Sequence, residues 1–154
     1  MKPMLLLATL LTTTLTIWAT NPSNGPKVLV VTAHPDDETG MAVTIYKITH
    51  ELKGTVDQCV ITNGEGGYKY STLSEDYYGL ELTDEKVGRK HLPQIRKQEL
   101  MNAGKIIGIT NHFFLDQKDA GYSLNEKEPL DTTWNVAWVN TRLSEILKTV
   151  RQIS

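Results

Sequence analysis

Cysteine is almost absent. Cys59 is the only one in 154 residues, so no intrachain disulfide can staple the fold. Stability then has to come from a packed core or from a metal. Cys59 lies in the apolar run Val56 to Thr62 and reads as buried filler rather than a nucleophile. An excess of positive charge is missing as well. Lys and Arg number 16 against 18 Asp and Glu, the net charge is −2 and the pI about 6.1. This balance excludes a nucleic-acid partner recruited by bulk charge. There are no internal repeats and no low-complexity segments. The one glycine-rich run, Gly64-Glu65-Gly66-Gly67, lacks the G-x-G-x-x-G spacing and follows the second strand signal, so it is not a dinucleotide fingerprint. The length allows one domain, and a hydrophobic content of 40% is ordinary for a soluble globular chain.

The amino terminus has its own character. Lys2 precedes an apolar stretch, Met4 to Ala19, broken only by threonines and ending in small residues. This pattern predicts a secretory signal peptide over residues 1–20, although Ile17 sits where a small residue is usual. An uncleaved membrane anchor is the alternative, in a stretch that is short and threonine-rich for a spanning helix. The expected location is secreted or periplasmic, or else membrane-anchored, with membrane contact only through this segment. Residues 21–26, Asn-Pro-Ser-Asn-Gly-Pro, are linker chemistry, and the domain occupies 27–154.

From Lys27 the hydrophobic pattern alternates between two kinds of element. The β-branched run Lys27 to Ala33 suits a strand buried on both faces. Glu38 to Lys53 follows as a helix, with Met41, Ile45, Ile48 and Leu52 on one stripe and Gly54 as the stop. Val56 to Thr62 is the second strand. A second helix is expected over Gln94 to Lys105 with Pro93 near its start, then a strand at His112 to Leu115. A last helix runs from Thr133 to Val150. Strand and helix in alternation predict an α/β, Rossmann-like three-layer fold with a mostly parallel sheet. Three strands are only the first half of a doubly wound sheet, so the domain reads as truncated after the third strand and the helix that follows.

Immediately after the first strand stands Ala33-His34-Pro35-Asp36-Asp37-Glu38. Ligands in open α/β sheets bind at the carboxyl ends of strands. One imidazole and three carboxylates within five residues repel one another unless something positive neutralises them. A divalent metal does so, and zinc accepts both donor types. His34 and Asp37 are close enough in a tight turn to share one ion, leaving Asp36 as general base for an attacking water. Helix capping is the competing reading. It accounts for one or two acids but not for the histidine or for three acids in a row.

His34-Pro35-Asp36-Asp37-Glu38 after an apolar strand resembles the signature of the PIG-L/LmbE de-N-acetylases. Thr62-Asn63-Gly64-Glu65-Gly66-Gly67 is similar to the glycine-rich turn of that family, and Arg96-Lys97-Gln98-Glu99-Leu100 to its Arg-x-x-Glu helix. Phe114-Leu115 through Asp119 resembles its segment with a late aspartate. The resemblance implies Zn2+, or another divalent metal, on His34 and Asp37. It implies Asp36 as the catalytic base, Arg96 as a substrate-binding residue, and Asp119 as an orienter of a histidine from later in the chain. The implied substrate is an N-acetylated sugar or glycoconjugate, such as an N-acetylglucosaminyl group. Arg96 shares a stripe with Leu100, Ala103 and Ile107 and points inward, where Glu38 or Glu99 could equally be its partner. The bland reading of Asp119 is a loop carboxylate beside Gly121. The family takes its third zinc ligand, and the histidine that protonates the leaving amine, from beyond a fourth strand. His50, His91 and His112 do not occupy such a place, so little activity is expected of this stretch alone. His112 reads as a satisfied or solvated histidine.

Asn63 to Pro93 reads as a loop of about thirty residues, long enough for a lid or binding surface. Its Tyr68, Tyr70, Tyr77 and Tyr78 could face a sugar or simply pack, and Trp134 and Trp138 read as core. The leading function is a zinc-dependent N-deacetylase. The alternative is a non-catalytic sugar- or nucleotide-binding half-domain, which metal binding would separate from the enzyme.

Overall fold

A computed structural model describes residues 25–152. The segment read as signal peptide or anchor, and residues 21–24 of the linker, lie outside it. No helix among the described residues is long and apolar enough to cross a membrane.

Three parallel strands form the sheet in the order β1-β2-β3, with β1 at Lys27–Thr32, β2 at Thr55–Thr62 and β3 at Ile109–Gln117. The strand buried on both faces is β2, not β1. Every residue of β2 after Thr55 is buried, whereas Val31 of β1 is 48% exposed. The reason is position: β2 lies between two neighbours, and β1 has a partner on one side only among the described residues.

Helices cover both faces. On one, α4 (Val136–Gln152) lays Val139 and Ile146 against Cys59, Ile61 and Leu115. Cys59 is indeed core, fully buried, and burial pushes its thiol up to about 11. On the other face, Ile45 of α1 (Ala42–Tyr46) meets Val30, Val56 and Ile109. Ile109 and Leu115 share strand parity yet face opposite layers. A register shift between Val56↔Ile109 and Asp57↔Asn111 inserts one extra residue and turns the pleat over. Each large side chain buried this way contributes about 1.5–3 kcal/mol.

The first helical segment changes winding twice: a 3-10 turn at Asp37–Met41, α1, then a π turn at Lys47–Glu51. The expected stripe drifts accordingly. Ile45 is buried, while Met41 and Leu52 are 38% and 47% exposed.

The largest departure lies between β2 and β3. The expected long loop is mostly helical, with a 3-10 turn at Glu65–Tyr70, α2 at Thr72–Tyr78, and α3 at Glu85–Ile107. α3 begins nine residues earlier than Gln94, and Pro93 sits inside it. Asp84 is the cap, its side chain accepting from the Val87 N–H at 3.0 Å. An interior proline costs a helix about 3 kcal/mol. Buried Gly88, Leu92, Leu100 and Gly104 hold α3 in place against that cost. Tyr68, Leu82 and Leu92 form a separate small core with Tyr78 and Ile95. β3 is longer than expected at both ends, and the last helix starts at Val136 after a π turn at Pro129–Thr133. Trp134 packs on the core, but Trp138 is 39% exposed and does not. His112 is half-buried and not satisfied: its Nε2 is buried with no partner, against Gly104.

Candidate active site

Three loops meet at the carboxyl ends of the strands. The loop after β1 is drawn tight by its own backbone. The Asp36 N–H donates to the His34 carbonyl at 3.0 Å, and the His34 N–H donates to Asp37 Oδ2 at 2.8 Å. Thr62 ties it to β2, donating its hydroxyl to the Ala33 carbonyl at 2.7 Å. Glu38 turns away and is buried, accepting from Gln58 Nε2 at 3.3 Å. The crowding of three acids is therefore relieved in part by sending one inward.

The His34 ring stands between two carboxylates. Its Nδ1 is 3.7 Å from Asp37 Oδ2 and its Nε2 is 3.6 Å from Asp119 Oδ1. Both separations exceed hydrogen-bond length, so the attraction acts through space. Asp119 is held from behind by two backbone donors, Gly66 N–H to Oδ2 at 3.1 Å and Gly121 N–H to Oδ1 at 2.8 Å. The contact with Asp119 is the main cause that raises the His34 pKa above the ordinary histidine value, against the opposing effect of burial. The same contact, helped by the Gly121 and Gly66 N–H groups, holds the Asp119 carboxyl below its usual range.

Gly66 is required by this arrangement. A Cβ there would lie 2.6 Å from Asp119 Oδ2. Gly64 is in the left-handed region at φ +69° and lies against the Pro35 ring, so the loops after β1 and β2 interlock.

Arg96 reaches in from α3. Its Nη2 donates to Asp36 Oδ2 at 2.7 Å and to the Pro35 carbonyl at 3.3 Å, while Nε lies 3.7 Å from Glu99 Oε2. Of the two acids considered as its partner, Glu99 is present at that longer distance, and Asp36 is the direct contact. Asp119, expected to orient a later histidine, here engages His34. Sequence reasoning missed Arg89, which donates Nη1 to the Asp119 carbonyl at 3.1 Å and sits 5.2 Å from the Tyr68 ring centre. It fell in the stretch read as loop, where no periodicity marks an inward face.

Residues 29–153 match the family described as PIG-L: GlcNAc-PI de-N-acetylase. The chain belongs to this family. Members of it are de-N-acetylases by that description, and the match spans all three loops of the site. A solved structure similar to this chain is the N,N'-diacetylchitobiose deacetylase from Pyrococcus horikoshii, complexed with its inhibitor MPG. The similarity has a TM-score of 0.50 at 25% identity over 73% of this chain. It covers 37% of that protein's chain. No curated protein matches. The parallel α/β fold expected from the sequence is the one found, and both likenesses support a function of the de-N-acetylase type.

A divalent metal can be tested against the donors present. His34 and Asp37 offer an imidazole nitrogen and a carboxylate oxygen 3.7 Å apart, the right kinds of atom at about the separation of two ligands on one ion. In number the set falls short. Among the described residues no three His, Cys, Asp or Glu side chains are grouped to hold a metal.

Proposed function

We propose that this chain carries active-site residues of a metal-dependent hydrolase that removes the acetyl group from an N-acetylated sugar. The observation that supports it best is the convergence of His34, Asp36 and Arg96 on one cavity at the end of β1, with Asp37 3.7 Å from the His34 ring. Three of these come from a single turn, and the fourth is anchored on Asp36.

His34 and Asp37 would hold Zn2+ or another divalent ion, whose Lewis acidity would polarise the acetyl carbonyl. The chain's own residues account for the rest. Asp36 takes the proton of the attacking water as general base, its carboxylate standing at the mouth of the cavity. Arg96 presently occupies Asp36 Oδ2, so it must yield that oxygen as substrate arrives. Its guanidinium is then free to donate to a sugar hydroxyl or to the amide. Asp119 fixes the ring of His34, and the backbone donors at Gly66 and Gly121 fix Asp119. The substrate is an N-acetylglucosaminyl group or a glycoconjugate bearing one.

A second reading, a non-catalytic sugar-binding module, is favoured by the donor set of two rather than three among the described residues. The two readings separate in one experiment. Zinc is titrated into wild type, His34→Ala and Asp36→Asn while acetate release from an N-acetylglucosaminyl substrate is followed. The hydrolase reading expects saturable zinc binding in wild type and Asp36→Asn, weakened at least tenfold in His34→Ala, with acetate release slight in wild type and absent from both variants. Sugar binding that is indifferent to zinc, with no release, would establish the binding module instead.

A further inference from the structure

The end of the sheet away from the site has a chemistry of its own. Lys27 opens β1, Lys53 precedes β2, Lys105 lies in the last turn of α3 ahead of β3, and Lys47 opens the π turn that closes the first helical segment. All four are exposed. Glu51 is the acid of that π turn, so the amino ends of the strands are net positive, while the carboxyl ends gather Asp36, Asp37 and Asp119.

Between these lysines the surface is apolar. Val43 is 85% exposed and Ile106 73%, and Tyr46 and Leu52 are exposed beside them. A groove of about 390 Å³ is lined by Ala42, Val43, Tyr46, Lys47, Glu51 and Ile107. Ile45 and Ile48 already fill the inward stripe of this segment, so Val43 and Tyr46 have no place in the core. The groove is also held in shape. Thr49 donates its hydroxyl to the Ile107 carbonyl at 2.8 Å, and the Tyr46 ring stacks on His50 at 3.9 Å.

The chain enters the fold at this same end. Gly25 lies so close to Leu52 that a Cβ on it would come within 2.3 Å of the Leu52 carbonyl oxygen. The apolar segment Met4 to Ala19 ends five residues before Gly25, a connection that spans at most about 20 Å. Retained as an anchor, that segment would bring the lysines and the apolar groove against a bilayer.

We infer that this face, formed by α1, the π turn and the end of α3, docks on the surface of a bilayer containing anionic lipids. Val43, Tyr46, Leu52 and Ile106 enter the boundary between headgroups and acyl chains, and Lys47, Lys53 and Lys105 reach the lipid phosphates. The loops that carry His34 and Asp36 lie at the other ends of the strands, so docking leaves their cavity open to water. The inference is independent of the hydrolase reading.

Cys59 is fully buried, so a thiol placed at an exposed position can be labelled alone. An environment-sensitive dye would be attached to the full chain at Val43→Cys or Ile106→Cys, and for comparison at Leu73→Cys on α2 or Leu147→Cys on α4. Vesicles of phosphatidylcholine, alone or with an equal part of phosphatidylglycerol, would then be added. Emission at positions 43 and 106 should shift to the blue with the mixed vesicles, and at 73 and 147 it should not. Lys47→Gln and Lys105→Gln together should lower partition into the mixed vesicles about tenfold, whereas pure phosphatidylcholine should bind weakly throughout. A chain that floats with vesicles while the dye at 43 stays in water would mean that the amino-terminal segment alone binds, and would overturn the docking face. So would four labels that shift alike, a partition indifferent to the lysines, or no vesicle binding at all. A blue shift at 43 that grows with protein concentration and needs no lipid would overturn it in favour of a second copy of the chain.

Discussion

His34 illustrates how much of a side chain's chemistry is decided by neighbours that are remote in sequence. Its position after a buried strand, with acids close behind it, marks it as functional from the sequence alone. The group that most affects its protonation is Asp119, brought in by the loop after β3. Replacing Asp119 by Asn removes the principal cause of the raised value, so the His34 pKa should fall, measured by NMR titration of its ring protons in metal-free protein. An unchanged titration would mean that Asp37 and Asp36 carry the effect. His112 is shifted the opposite way, lowered by burial and only partly offset by Asp57. Above the ordinary histidine pKa of about 6.5 both folded and unfolded chains hold it neutral. Below it the unfolded chain takes up the proton first, so stability falls as the pH drops through that range. Between pH 7.5 and 5.5 the urea midpoint of wild type should fall relative to that of His112→Phe, since the opposite contribution of the raised His34 is common to both. The Asp36–Arg96 contact lay outside what residue patterns disclose. The stripe on α3 points Arg96 inward, but which of several acids it meets is settled by tertiary placement.

At the scale of elements, alternation of apolar runs was enough to order β1, α1, β2, β3 and α4, because a parallel sheet demands that alternation. What could not be read was winding and length. Pro93 argues locally for a helix start, and it was overruled by the cap at Asp84 together with burial of Leu92 and Gly88. The segment at 65–78 has no long period, since it is a 3-10 turn and a short helix whose stability comes from Tyr68 and Leu82 packing on α3. Two glycines test how tightly the elements are joined. Gly66→Ala would press a methyl group onto the Asp119 carboxylate. Gly104→Ala would place one 2.4 Å from His112 Nε2. Each should lower unfolding free energy by about 1–3 kcal/mol in chemical denaturation. Gly66→Ala alone should also shift the His34 resonances, because it moves the carboxylate beside that ring.

For the whole molecule, the three layers carry comparable weight. Ile45 seals the sheet on the α1 side and Ile146 on the α4 side, each 2% exposed. Truncating either to Ala should cost about 2–5 kcal/mol, and the two losses should add, since the sheet lies between them. A loss confined to one variant would mean that one layer docks without being needed for the fold. Both layers were legible in the sequence as stripes, whereas the turnover of the pleat in β3 was not. One inserted residue leaves no mark on composition.

The interlocking of the three loops also bears on descent. Pro35 lies over Gly64, Gly66 lies under Asp119, and Asp119 faces His34, so the loops form a closed ring of contacts drawn from three separate strands. A substitution at any one of these positions presses on the next before it can be absorbed by solvent. Lineages that change residue 66 should therefore carry a compensating change at 119, and those that change 64 one at 35. The site should drift as a block or not at all, while the exposed faces of the helices behind it exchange side chains more readily.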